Sequence, residues 1–210
     1  EIRNFRDQRI RFFQFASNKG PNEAMSHCLN KVSDDVEYIA MISSDDAFLP
    51  DKIEKQVKFL DDNDNIGAVF TQADIIDENG DLLKDENHPY FNIFNQQNRS
   101  RNEWLRRFFY EGNCLCHPSV LIRKDLYKME YFDPRLRQLP DFDFWIKLCL
   151  KTDIYIIPEK MIKFRIMNNE ANTSGTRSDT LNRLNVEMFY VLDNFLNSIE
   201  SKSDFIRLFP

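Results

Sequence analysis

An α/β layer fold, with a mostly parallel sheet flanked by helices, is the architecture this 210-residue sequence predicts. Two observations carry it. Short apolar runs bounded by turn residues, such as "EYIAMI" at Glu37 to Ile42 and "DIYIIP" at Asp153 to Pro158, alternate with longer stretches whose apolar residues recur at helical spacing. The length also fits one domain, or one domain with an appendage, and suffices to bury a substantial core.

The elements follow in chain order. Arg9 to Phe15 ("RIRFFQF") alternates in part and favours a strand, and "ASNKGP" after it is a loop by its Asn, Gly and Pro. Asn22 is placed as the N-cap of a helix to about Val32, with Ala24, Cys28 and Leu29 toward the core. Glu37 to Ile42 is a short, mostly buried strand. Pro50 suits the first turn of a helix carrying Ile53, Val57 and Leu60, which stops at "DDNDN". Ile66 to Gln72 is the next strand, and Asp77-Glu78-Asn79-Gly80 is a turn. From Asp81 to Asn98 periodicity fails, which predicts a long surface loop of the kind that often carries function.

Ser100 and Glu103 have capping-box spacing ahead of a helix with Trp104, Leu105, Phe108 and Phe109. Cys114 to Ile122 reads as a strand interrupted by His117-Pro118. Pro140 opens an amphipathic helix, "DFDFWIKLCLK", followed by the strand "DIYIIP". Ser178 to Ile199 is a last long helix with Leu181, Leu184, Met188, Val191 and Leu192 on one stripe, a face that packs on the domain or docks a partner. The organisation expected is a first domain over 1–176 and a helical extension over 177–210.

Composition narrows the function. A formal net charge of -6 argues against a polyanion-binding surface, so nucleic acid is not an expected partner. The four cysteines, Cys28, Cys114, Cys116 and Cys149, form no C-x-x-C pair and read as buried thiols in a reducing compartment. No apolar run approaches a membrane span and no signal peptide is visible, which makes the cytoplasm, including the inner face of a membrane, the expected location. The first residue is Glu1, not Met, so the expectation is a processed chain or part of a longer one.

The stretch that bears chemistry is "ISSDDAFLP", Ile42 to Pro50, which sets two adjacent carboxylates where a strand ends and a helix begins. In open α/β sheets ligands sit outside the carboxyl ends of strands. Oxygens of Ser44 and Asp45 are hard donors suited to Mg or Mn. Asp45 or Asp46 is equally readable as a cap for the following helix.

The surroundings add to this. "N-K-G" at Asn18 to Gly20, Ala24, and "EYIAMISSDDAFLPDKIEKQV" from Glu37 to Val57 resemble the middle of the family 2 glycosyltransferases of the GT-A fold. "HPSVLIRKDLYKMEYFDPRLRQLPDFDFWIKL", His117 to Leu148, is similar to the acceptor-side segment of those enzymes, and "KFRIMNNEANTSG", Lys163 to Gly175, to their closing segment. The resemblance implies a Rossmann-like GT-A sheet and an inverting transfer of sugar from a nucleotide sugar, a UDP-sugar by preference, to a carbohydrate or lipid-linked acceptor hydroxyl. It implies that Asp45 contacts a Mn or Mg ion on the donor diphosphate, and that Asp141 is the general base.

Other positions are weighed both ways. Asp141 is also readable as a first-turn carboxylate favoured by the helix dipole. Asn18 and Gly20 shape the nucleotide loop or are a plain turn. His117 and Asp143 approach the acceptor or are structural, Trp145 edges the sugar pocket or packs in the core, and Arg165 meets a phosphate or forms a surface ion pair.

The pattern departs from the family in three places. Ser43 stands where the family has the first Asp of its Asp-x-Asp element, and Met167 where many relatives have a His. The family's first strand and helix, with their base-binding carboxylate, would precede Glu1. These departures are the case for a second reading, a non-catalytic GT-A-like binding or assembly module. A metal-dependent phosphohydrolase using Asp45 and Asp46 lacks the further Asp and Lys motifs it needs.

Overall fold

The computed structural model describes residues 6–127, 133–167 and 178–210, which divide into two compact units, Glu1–Ser33 and Asp34–Pro210. In the first unit α1 spans Pro21–Leu29. It starts earlier than expected, at Pro21 and not after an Asn22 cap, because a proline in the first turn forfeits no helical hydrogen bond. Arg9 to Phe15 is not a strand. A strand exists through bonds to a neighbour, and among the described residues this segment has no ladder partner. Ile10, Phe12 and Phe13 are exposed, while Phe13 and Phe15 meet the His27 ring edge-on at 5.1 and 5.2 Å. No residue of α1 is fully buried and Cys28 is exposed, which corrects its reading as a core thiol. So small a unit encloses little.

The second unit is built on one five-stranded sheet of order β1-β4-β3-β5-β2. β1 is Tyr38–Ala40, β2 Ala47–Phe48, β3 Ile66–Ile76, β4 Leu121–Arg123 and β5 Asp153–Arg165. The longest ladder, β3 with β5, is parallel; β1–β4, β3–β4 and β2–β5 are antiparallel. The sheet is therefore mixed, where the sequence predicts a mostly parallel one. β5 runs on past the expected end at Pro158 to Arg165, and its register with β3 shifts from Thr71↔Ile157 to Gln72↔Lys160. Pro158, which cannot donate to a ladder, is thus accommodated in a bulge with Glu159.

α2, Lys52–Asp61, packs on the sheet through Lys52, Gln56 and Leu60, not through Ile53, which is exposed. The helix is turned by about one residue from its expected orientation because polar groups are needed beneath it. β4 pairs β3 only at Ala68 and Val69. Beyond that the neighbour is a 3-10 turn, His117–Ser119, and the freed backbone groups find side chains instead. The Gln56 amide donates to the Val69 and Ser119 carbonyls at 3.0 and 2.8 Å, and Thr71 N–H donates to the Ser119 hydroxyl at 3.3 Å. Lys52 donates to Gln56 at 2.8 Å and lies 4.1 Å above the Phe48 ring, and burial pushes its pKa down to about 8. Cys114 and Cys116 precede this turn and are buried, but they are not in a strand.

The loop from 81 to 98 has no regular element beyond an Ile76↔Leu82 bridge, as expected. Tyr90 and Phe94 pack on Phe164, and Asn98 exchanges two hydrogen bonds with Ile156. α3, Arg101–Glu111, opens on the expected capping box, with the Glu103 carboxylate accepting from the Ser100 N–H and hydroxyl at 2.8 and 2.6 Å. It ends at Gly112, whose φ of +79° a residue with a Cβ would adopt only under strain.

α4, Pro140–Cys149, is buried nearly all round rather than amphipathic. Trp145 is edge-on to Phe70, and Phe142 to Phe108. α5, Ser178–Asn197, buries Thr180, Glu187, Val191 and Phe195, while Leu181 of its expected stripe is exposed. A short helix that the pattern does not announce, α6 at Lys202–Leu208, follows a Ser201 cap and returns to α3, where Arg106 donates to the Leu208 carbonyl at 2.7 Å. α5 and α6 fall in the same compact unit as the sheet, whereas the sequence sets a boundary at 176/177. Among the described residues no helix is long and apolar enough to cross a membrane.

Candidate active site

Two carboxylate-bearing segments define the site. The first joins β1 to β2. Ser43 and Ser44 are exposed, Asp45 and Asp46 half-buried, and Asp46 N–H donates back to the Ser43 carbonyl at 3.3 Å. Arg165, at the end of β5, holds this loop. Its N–H donates to Asp46 Oδ1 at 2.9 Å, its Nε to the Asp45 carbonyl at 2.9 Å, and its Nη1 to the carbonyls of Asp77 and Glu78 at 2.8 and 3.1 Å. The Arg165 guanidinium therefore ties the main-chain oxygens of two turns together, a third role beside the two expected of it. Burial pushes the Asp46 carboxyl up to about 6; the Asp45 charge adds to the rise, while Arg165 and Ser43 oppose it. Met167, just beyond Arg165, is exposed, and the rest of the closing segment, residues 168–175, lies outside the described residues.

The second segment is the first turn of α4. Asp141 is half-buried and accepts from Asn113 Nδ2 at 3.0 Å, while Asn113 Oδ1 accepts from Leu115 N–H at 3.1 Å. Gly112 turns the chain so that Asn113 reaches it. Asp143 points into the core, where Lys147 pairs with it at 2.5 Å, and burial holds its carboxyl above the ordinary value. Trp145 is completely buried. Asp143 and Trp145 are thus both placed in the core, the structural one of the two readings given for each.

The 3-10 turn packs against both segments, Cys116 in one apolar cluster with Phe48 of β2 and His117 against Trp145 of α4. The Cys116 thiol is raised well above its ordinary range by burial first, then by the negative fields of Asp46 and, less strongly, Asp141. His117, half-buried, lies 3.3 Å from the Tyr127 hydroxyl and edge-on to Trp145 at 5.6 Å. Burial holds its pKa below the ordinary value, and Asp141 pulls the other way. The same carboxylate adds to the burial that raises Tyr127. The turn thus packs against the elements that carry both carboxylates, through Phe48 of β2 and Trp145 of α4.

Asn18 and Gly20 lie in the first unit, where Asn18 Oδ1 accepts from Gly20 N–H at 2.8 Å and Gly20 has φ of +84°. This is an Asx-type turn leading into α1. A cavity of about 200 Å³ lies among Arg101, Leu105, Cys149, Asp204 and Leu208. It includes neither Asp45 nor Asp141.

Sequence patterns do not single out Asn113, Gln56 or Glu187, because each acts on residues distant in the chain. Leu139 offers one signal. It occupies the N-cap of α4 and has no side chain able to cap, so the N–H groups before the helix need an acceptor from elsewhere.

Residues 1–128 match the family model described as Glycosyl transferase family 2. The chain belongs to this family. The Asp45–Asp46 loop and His117 fall within the family 2 match, and Asp141 lies beyond it. An uncharacterized glycosyltransferase of Methanocaldococcus jannaschii is 30% identical over 178 residues, which cover 84% of this chain and 57% of that protein. The O-antigen biosynthesis glycosyltransferase WbnJ of Escherichia coli is 27% identical over 156 residues, covering 72% of this chain and 57% of WbnJ. An uncharacterized Rickettsia felis glycosyltransferase is 26% identical over 194 residues, 91% of this chain and 30% of that protein. The chain thus spans little more than half of the longest-covered of these relatives. The crystal structure of S. aureus TarS 1-349 superposes with a TM-score of 0.60 at 15% identity, covering 92% of this chain and 50% of TarS. That likeness speaks for the fold, which is GT-A-like α/β, as the sequence predicts.

Proposed function

We propose that this family 2 chain works as an inverting glycosyltransferase, moving a sugar from a UDP-sugar to a hydroxyl of a carbohydrate or lipid-linked acceptor. The supporting observation is that the 116–119 turn packs against both carboxylate-bearing segments: Cys116 shares an apolar cluster with Phe48, two residues after Asp46, and His117 lies edge-on at 5.6 Å to Trp145 of α4, the helix whose first turn carries Asp141. Asp141 accepts the proton of the acceptor hydroxyl, whose oxygen attacks the anomeric carbon opposite the departing diphosphate. Asn113 aims the Asp141 carboxylate through its amide. Burial holds His117 below and Tyr127 above their ordinary values, so both favour the uncharged form.

The loop oxygens suit a hard divalent cation, Mn or Mg. Among the described residues no three His, Cys, Asp or Glu side chains gather into a metal cluster, so Asp45 would share the ion with the donor diphosphate and water, the usual arrangement for Mg²⁺. When bound, such an ion stabilises negative charge on the leaving diphosphate. Arg165 keeps the loop in place for it. Ser44 is assigned to the nucleotide sugar. With Ser43 and Met167 in place of stronger ligands, the ion's hold depends on the nucleotide. The O-antigen role in WbnJ's name makes polysaccharide biosynthesis the setting inferred here.

Calorimetric titration of the full-length protein with UDP tests the reading. Binding should tighten when Mn is present. Absence of UDP binding both with and without Mn would overturn it.

A further inference from the structure

We infer that Glu187, on α5, is a positioning residue for Asp141, and that the C-terminal helix is therefore part of the catalytic apparatus. This rests on the proposed role of Asp141. The Glu187 side chain is buried, and its carboxylate gathers the backbone N–H groups of Arg137, Gln138 and Leu139 at 2.7 to 3.0 Å, together with Arg183 Nε at 2.6 Å. Those N–H groups immediately precede α4, whose N-cap, Leu139, cannot cap itself and whose Pro140 has no N–H to offer. A carboxylate from a helix about fifty residues downstream supplies the missing acceptor.

The same helix fixes the preceding loop at further points. Arg183 donates to the Arg135 carbonyl at 3.0 Å, Tyr190 donates to Asp133 at 2.8 Å, and the Arg135 guanidinium lies over the Tyr190 ring at 4.6 Å. Residues 133 to 139 are thus latched onto α5, and Asp141 is the second residue of the helix that this latch aims. Burial alone would raise the Glu187 pKa. The backbone N–H groups of residues 137 to 139 and Arg183 outweigh it, so the carboxyl is held below its ordinary value and is ionised at neutral pH. Glu187 itself touches no proposed substrate group. Its effect is on the direction of Asp141, and errors of about 1 Å in such a group cost up to about 10²-fold.

The test compares wild type, Glu187→Gln, Glu187→Asp and Asp141→Asn in the full-length protein. UDP release is followed from UDP-glucose, UDP-galactose and UDP-N-acetylglucosamine, and UDP affinity with Mn is measured by calorimetry. Glu187→Gln should lower kcat by about 10- to 100-fold with UDP affinity and donor KM unchanged, and Glu187→Asp, which keeps the charge, should recover part of the loss. Equal kcat for Glu187→Gln and wild type, with Asp141→Asn inactive, overturns the inference and leaves the proposed function standing. A parallel loss of UDP affinity also overturns it, since that is general loosening of the fold. Full activity of Asp141→Asn, or no turnover by wild type, overturns the proposed function itself.

Discussion

The Asp45–Asp46 loop and the start of α4 each present a carboxylate, but they are held in opposite ways. At the loop a cationic side chain, Arg165, takes hold of main-chain carbonyls, and among the described residues no hydrogen-bond donor engages the Asp45 carboxylate. At α4 an anionic side chain, Glu187, takes hold of main-chain N–H groups, and Asp141 itself is gripped by Asn113. The first arrangement fixes the backbone and leaves oxygens for a partner from outside. The second fixes the direction of the carboxylate, as the base role proposed for Asp141 requires.

Three substitutions would break or sharpen this contrast. The largest effect is expected at the aimed carboxylate: Asp141→Asn should reduce transfer by about 10²- to 10⁴-fold with the thermal midpoint little changed, as scanning calorimetry would check. Next, Arg165→Met should release the loop and weaken binding of UDP with Mn by about 10-fold, with a smaller change in kcat. If kcat fell and affinity held, the two segments would not divide the work as described. The smallest effect concerns pH. Asp46 is raised in the folded protein to about 6 from an ordinary 3.8, so the native state binds the extra proton between those values and loses stability as pH rises through that window. Asp46→Asn keeps an acceptor for the Arg165 N–H without the buried charge. Its melting temperature should exceed that of wild type at pH 7, and the excess should shrink as pH falls from about 6 to about 4.

The sequence exposes some of this design and hides the rest for physical reasons. The Ser-Ser-Asp-Asp loop, the Ser100–Glu103 capping box and Pro140 are legible because their determinants are local and contiguous. Strand direction is not, since alternation records which face is buried and says nothing of which neighbour runs which way; hence the antiparallel pairings of β1, β2 and β4. The orientation of α2 is hidden because Lys52 and Gln56 read as outward polar residues, whereas Gln56, with Lys52 donating to it, satisfies backbone groups left open where β4 ends. Arg9 to Phe15 has the composition of a strand and lacks a partner among the described residues. Glu187 and Asn113 lie outside any local pattern. Only the cap-less Leu139 hints that an acid must arrive from elsewhere.

The position of β5 has a consequence for synthesis. It fills the gap between β3 and β2, so the eleven-residue β3 waits for residues 153–165 before its second edge is paired. A chain truncated ahead of Asp153, or paused there on the ribosome, would expose an apolar ribbon running from Ile66 through Val69, Phe70, Ile75 and Ile76 with open amide and carbonyl groups along one side. Ribbons of that kind recruit copies of themselves. Fragments that stop short of β5 are therefore expected to form inclusion bodies.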